Sequence, residues 1–195
     1  MSQVKLSGRS QLKTRRLNLV PVQPSDAEDF FKLWSSPALA RVAGIDPVGS
    51  IDDVAAGLAQ FERLRLLGMY WKWRLSLEMS GEFVGEIETY PVRPQIQPWT
   101  EWGIGYSLKP QYWRQGFATE SLVAVISAVF EHPEAKRIKA DVGNENQPSI
   151  QLLTKLGFYL EGKQLSKSWH SSQSHDMLLY GLTKSNWLLS KYSAI

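Results

Sequence analysis

The stretch Tyr112-Trp113-Arg114-Gln115-Gly116-Phe117-Ala118-Thr119-Glu120 brings together residue types suited to holding an anion. It stands between a strand-like segment and a long amphipathic one, so its last residues open a helix. The first amides of a helix have no partner inside it and, with the helix dipole, form an anion site. Gly116 lets a bulky phosphate approach the backbone without meeting a side chain. Ala118 is small, Arg114 adds a cation that can pair with phosphate, and Thr119 adds a hydroxyl. Taken alone, the nine residues also describe a plain helix entry with a turn glycine. Neither the P-loop spacing nor the dinucleotide glycine pattern is present, which argues against nucleoside-triphosphate and Rossmann chemistry.

Carboxylates able to move a proton occur on strand-like segments, at Glu101 and at Glu86 and Glu88. A solvated strand-end glutamate is the other reading of Glu101. Ser149 is either a reactive-site hydroxyl or a helix cap. His132, His170 and His175 lack metal-ligand spacing. His132 precedes Pro133 at a helix end and reads as a capping or solvent-facing residue. Trp169 and His170 fall in a polar loop. There is no cysteine, so disulfides, thiolate metal sites and a cysteine nucleophile are excluded.

These residues need a scaffold, and the hydrophobic pattern supplies one. Residues 16–22 alternate as an edge strand, 27–34 form a helix after a Pro24-Ser25-Asp26 start, and 37–50 read as a loop. Residues 51–67 form a helix closed by Gly68. Residues 71–77 and 83–90 form a hairpin, and 100–108 a further strand. On that strand Trp102, Ile104, Tyr106 and Leu108 share one face, opposite Glu101, Gly103, Gly105 and Ser107. Residues 117–131 form an amphipathic helix, 137–142 a strand, 148–156 a helix ended by Gly157, and 158–165 and 176–182 the last strands. The order implies a mixed α/β sheet in one domain.

The 195-residue chain is long enough for one full core. Its net charge of +3 is too weak to point to nucleic acid. No apolar run approaches a membrane span. The basic start, with Lys5 and Arg9, has no apolar segment behind it and reads as a solvated tail of residues 1–14 rather than a signal. A cytoplasmic setting follows.

Three segments together resemble the GNAT superfamily of N-acetyltransferases: Glu101 to Leu108, Tyr112 to Glu120, and Asn146-Gln147-Pro148-Ser149 running on to Lys155-Leu156-Gly157-Phe158. The closing strand, ending near Trp187, is similar to that of the RimJ/RimL-like branch, which acetylates the N-termini of ribosomal proteins. The resemblance covers residues 15–187, leaving a C-terminal tail of 188–195. It implies an α/β fold with a mixed, mostly antiparallel sheet whose central strand pair splays apart between flanking helices. It implies acetyl-coenzyme A as the cofactor, its diphosphate on the amides of Gln115, Gly116, Phe117, Ala118 and Thr119 with Arg114 beside it. The pantetheine arm would lie along Tyr106, Ser107 and Leu108, with Asn146 bonding it and Ser149 near the sulfur.

The implied reaction is acetyl transfer to a small-molecule amine or a protein N-terminus by direct attack in a ternary complex, with Glu101 first choice for the base. A homodimer is compatible with it; nucleic acid, membrane and metal are not expected. The sequence departs from the family at Trp113, where Gln or Arg is usual, at Gly103, where this branch often carries glutamate, and at Leu153. The family's tyrosine at the Leu153 position protonates the departing thiolate. Leu153 has no proton to give, which leaves Ser149 or water and keeps a coenzyme A-binding regulator without catalysis as the alternative.

Overall fold

The computed structural model describes residues 11–43, 46–167 and 175–193. Lys5, Arg9, Trp169 and His170 lie outside them. Eight strands form one sheet in the order β1-β2-β3-β4-β5-β6-β8-β7. They are β1 (Leu12–Lys13), β2 (Leu17–Pro21), β3 (Trp71–Leu77), β4 (Phe83–Pro91), β5 (Glu101–Leu108), β6 (Arg137–Gly143), β7 (Tyr159–Lys167) and β8 (His175–Thr183). Every neighbouring pair is antiparallel except β5 and β6. The helices are α1 (Ala27–Trp34), α2 (Pro37–Ala43), α3 (Ile51–Leu66), α4 (Phe117–Phe130), α5 (Gln147–Lys155) and α6 (Lys184–Leu188).

The two faces of the sheet are covered by different helices. On one face α4 and α5 pack over Leu17, Leu19, Trp73, Leu75, Ile87, Trp102 and Ile138, with Leu122, Val125 and Ile126 of α4 fully enclosed. The apolar stripe of α4 faces the sheet, and Thr119, Glu120 and Ser127 lie off it. On the other face α1, α2 and α3 build a smaller core from Phe30, Leu33, Leu39, Val54, Leu58 and Phe83. Ser50 opens α3 by accepting the Asp53 amide at 3.1 Å, and Asn146 opens α5 by accepting the Ser149 amide at 3.2 Å.

Several local expectations are corrected. Residues 37–50 are not all loop, because Pro37 is placed to start α2 and Leu39 has a core to enter. Leu12–Lys13, in the stretch read as tail, adds a short edge strand to β2. His132 is neither a cap nor solvent-facing. It is buried, its ring lies 5.8 Å from that of Trp102, and its Nδ1 accepts the Glu134 amide at 3.1 Å. Burial holds its pKa below the ordinary imidazole value. Beyond β8, α6 buries Trp187 beside Phe130, and Tyr192 stacks on the indole with ring centroids 6.4 Å apart. Among the described residues no helix is long and apolar enough to cross a membrane.

Candidate active site

The parallel pair β5–β6 is joined at Glu101–Arg137, Trp102–Ile138 and Gly103–Lys139, after which the ladder stops although both strands continue. Backbone polar groups alternate across a strand. The Lys109 amide donates to the Val84 carbonyl of β4 at 2.9 Å. Tyr106 and Leu108, at the alternate positions, therefore present their N–H and C=O groups to the gap. Such an edge matches the donors and acceptors of an extended, amide-bearing ligand. One of these groups is engaged already: the Leu108 carbonyl accepts the Trp113 indole N–H at 2.8 Å. That bond explains a tryptophan at 113. It ties the turn to the end of β5.

A cavity of about 650 Å³ opens at this gap. Tyr106, Ser107, Leu108, Arg114, Gly116, Ala118, Thr119, Asn146 and Ser149 line it, with Leu152 and Lys155 of α5. Leu39, from the core under α1 and α3, lines it too. The Asn146 side chain caps α5, and Ser149 supplies only its amide to that cap, leaving its hydroxyl for the cavity.

The turn before α4 has a geometry suited to anions. Arg114 and Gly116 both take left-handed backbone conformations, at φ 58° and 82°. Successive turn amides of this kind, followed by a helix N-terminus, form a concave nest of donors. A second layer holds the nest in place. The Arg16 guanidinium donates to the Gln115 carbonyl at 3.0 Å and lies 4.2 Å from the centre of the Phe117 ring. Its Nε pairs with Glu120 at 2.7 Å, and Glu120 also accepts the Arg16 amide at 2.8 Å and the Thr14 hydroxyl at 2.6 Å. Burial works against the Glu120 charge, but these bonds outweigh it and hold its pKa below the ordinary carboxylate value. Phe117 is buried, so only its backbone can face a ligand, and the Gln115 amide side chain turns back to the Gln111 carbonyl.

Glu101 is not brought to the cavity. Its carboxylate pairs with Arg137 Nε at 3.2 Å, and Arg137 also reaches Glu161 at 2.5 Å. This cluster sits at the zipped end of β5–β6, five residues and about 17 Å of extended chain from Tyr106. Glu88 is better placed. A Cβ on Gly105 would come within 2.9 Å of Glu88 Oε1, so this carboxylate lies against β5 where the strands have parted. The ring of Tyr90 fills the space beside Gly103 in the same way.

Lys72, itself buried, pairs with Glu86 and, at 2.5 Å, with Glu88. Burial alone would lower its pKa, but the two carboxylates raise it above the usual lysine value. The Trp34 indole donates to Glu86 at 2.7 Å. Phe61, Tyr70 and Tyr90 stack in a row at centroid spacings of 5.0 Å. Burial, then Glu88, pushes the Tyr90 phenol up to about 12. Burial, against the pull of Lys72, raises the Glu86 pKa above the ordinary carboxylate value, and the neighbouring Glu88 adds to the rise. Alternation on β4 puts Tyr90 on the face of Glu88, but nothing in the sequence joined Lys72 and Tyr70 to them. Cross-strand register does so, pairing Lys72 with Glu88 and Glu88 with Gly105. Among the described residues no group of three or more potential metal ligands gathers.

Residues 16–159 match the acetyltransferase (GNAT) domain family. The chain is 29% identical over 173 residues to the uncharacterized N-acetyltransferase YoaA of Bacillus subtilis, covering 89% of this chain and 96% of that protein. Among solved structures it is similar to Mycobacterium smegmatis RimJ in complex with CoA-disulfide, at a TM-score of 0.79 and 21% identity over 94% of this chain and 91% of that one. RimL, a ribosomal alpha-N-protein acetyltransferase bound to coenzyme A, has a TM-score of 0.76 at 18% identity, covering 89% and 97%. With the family matched over most of its length and a cavity at the parted strands, the chain belongs to the GNAT acetyltransferases and is an acetyl-coenzyme A-dependent enzyme.

Proposed function

We propose that this enzyme acetylates a primary amine, a protein N-terminus or a small-molecule amine, by direct attack with donor and acceptor bound together. The observation that carries the proposal is the position of Glu88 against Gly105, at the parted strands and on the face opposite α4. The donor supplies an activated acetyl thioester. The Arg114–Thr119 turn and α4 bind its diphosphate through backbone amides, and the open edge of β5 orients its arm. The amine enters from the α1–α3 face, where the Glu88 carboxylate beside Lys72 can accept a hydrogen bond from it. An acceptor that arrives protonated first gives one proton to water, and Glu88 takes the second, which the nitrogen loses on attack. The amide N–H of Tyr106 points into the gap and can stabilise the oxygen that gains charge.

Two features support this route over an acyl-enzyme. The chain contains no cysteine. The β5–β6 ladder stops after Gly103 and Glu88 lies against Gly105 just beyond it, so a donor along the parted strands and an acceptor over Gly105 can meet there. Likeness to an alpha-N-protein acetyltransferase supports a protein N-terminus as acceptor. The deciding measurement is thiol release with acetyl-coenzyme A against small amines and peptides of varied N-terminal residue. Turnover with at least one primary amine, abolished when the same compound is N-blocked, is expected. Acetyl-coenzyme A binding without acceptor-dependent release from any of them would sink the proposal.

A further inference from the structure

Leu153 is buried and apolar, so α5 offers no proton donor at that point. A hydroxyl is nevertheless present, on the neighbouring strand. The Tyr106 side chain leaves β5 on the α4–α5 face and lines the cavity with Asn146 and Ser149. Its oxygen is buried and has no hydrogen-bond partner in the protein. The Ser149 side chain lies beside it, near enough to offset part of the effect of burial on the phenol, without completing a regular hydrogen bond. Buried hydroxyls are nearly always paired, because an unpaired one forfeits its hydration for nothing. An orphan donor facing a ligand cavity is accounted for if the ligand is its partner.

We propose that the Tyr106 hydroxyl, with Ser149 beside it, is the hydrogen-bond donor that holds the departing sulfur, a task that Leu153 cannot perform. The inference rests on the reading of this cavity as the acetyl-coenzyme A site. In the transfer the acceptor nitrogen bonds to the carbonyl carbon. The carbon–sulfur bond then breaks with its electron pair on sulfur, and the nitrogen's proton passes to Glu88. Tyr106 donates a hydrogen bond and keeps its proton. Burial pushes its phenol up to about 12, well above a thiol reference of about 8.5, so full transfer to the sulfur would run uphill. Water gives the sulfur its proton after the acetylated product has formed. Ser149 steadies the same site and is the smaller contributor.

The test uses coenzyme A itself, whose thiol can be titrated while bound by its ultraviolet thiolate absorbance. Wild type should hold that thiol at a lower pKa than free coenzyme A. Tyr106→Phe should raise the bound value by about one unit and lower kcat about tenfold, with little change in the KM for the amine. Ser149→Ala should shift both in the same direction by less. Because the phenol has no protein partner, the melting temperature of ligand-free Tyr106→Phe should equal or exceed that of wild type. A clearly lowered melting temperature would mean that the hydroxyl serves the fold, and would overturn the proposal. So would normal coenzyme A affinity with an unshifted thiol pKa and kcat in Tyr106→Phe. Failure of wild type to bind coenzyme A would instead remove the cavity reading on which the inference stands.

Discussion

The two faces of the sheet beside the parted strands are built in opposite ways. On the α4 side the binding groups are backbone amides, set by two left-handed residues and steadied from behind by Arg16, Glu120 and Thr14. On the α1–α3 side they are side chains, a buried ammonium between two carboxylates beside a row of stacked rings. A backbone nest suits a ligand whose charge is constant, since diphosphate oxygens need donors and nothing else. A side-chain cluster suits a ligand that must change protonation, because carboxylates accept a proton and amides do not. The donor side therefore tolerates side-chain change as long as the turn survives, and the acceptor side does not.

The strongest way to break this contrast is Gly116→Glu. At φ 82° a side chain is strained, and its Cβ would meet the Arg16 guanidinium at 3.4 Å, so the added carboxylate would pull on the group that steadies the nest. Acetyl-coenzyme A affinity should fall about 100-fold or more, near 3 kcal/mol, while circular dichroism shows an intact fold. Unchanged affinity by calorimetry would move the diphosphate elsewhere. Nearly as large is the effect of Glu88→Gln, which keeps shape and removes the base. The kcat should drop by about 10²-fold, the lower end for a general base, with the donor Kd within about twofold of wild type. If donor binding fell as far as turnover, the division of labour between the two faces would be wrong.

Glu120→Ala probes the second layer of the nest. It leaves Arg16 without its carboxylate and should cost about 1.5–3 kcal/mol, seen as a lowered melting temperature and a weaker, salt-sensitive donor affinity. Acid should act in the same direction in wild type. Glu120 has a folded pKa below its unfolded one, so its contribution is present above the unfolded value and lost as pH falls through the folded one. The smallest effect belongs to Glu101→Gln. Its partly exposed pair with Arg137 should be worth no more than about 1 kcal/mol, and turnover should stay within about twofold. A large loss of kcat there would return Glu101 to the role first considered for it.

Much of this molecule could be read from its residue order. Alternation in β3 through β6, the apolar stripe of α4, the glycine at its entry and the Asn146–Ser149 start of α5 are local signals, and local signals survive without a structure. Trp113 could be seen as a departure at its position but not as a donor to Leu108, because that bond depends on how the turn folds back. The α2 helix was hidden because a proline at its start and a glycine after its end look like loop chemistry until a core exists to receive Leu39.

What the residue order determined by itself was the element sequence, the phosphate-type turn and the family resemblance, since each depends on residues within a few positions of one another. Only the tertiary structure decided which carboxylate faces the gap. Glu101 and Glu88 look alike along the chain, and their fates are set by where the β5–β6 ladder stops and by the register of β3, β4 and β5. The same holds for the unpaired Tyr106 oxygen and for the Arg16 grip on α4, which spans 104 residues to Glu120. Contacts between distant segments are fixed by packing and strand register, and neither is written in any short stretch of sequence.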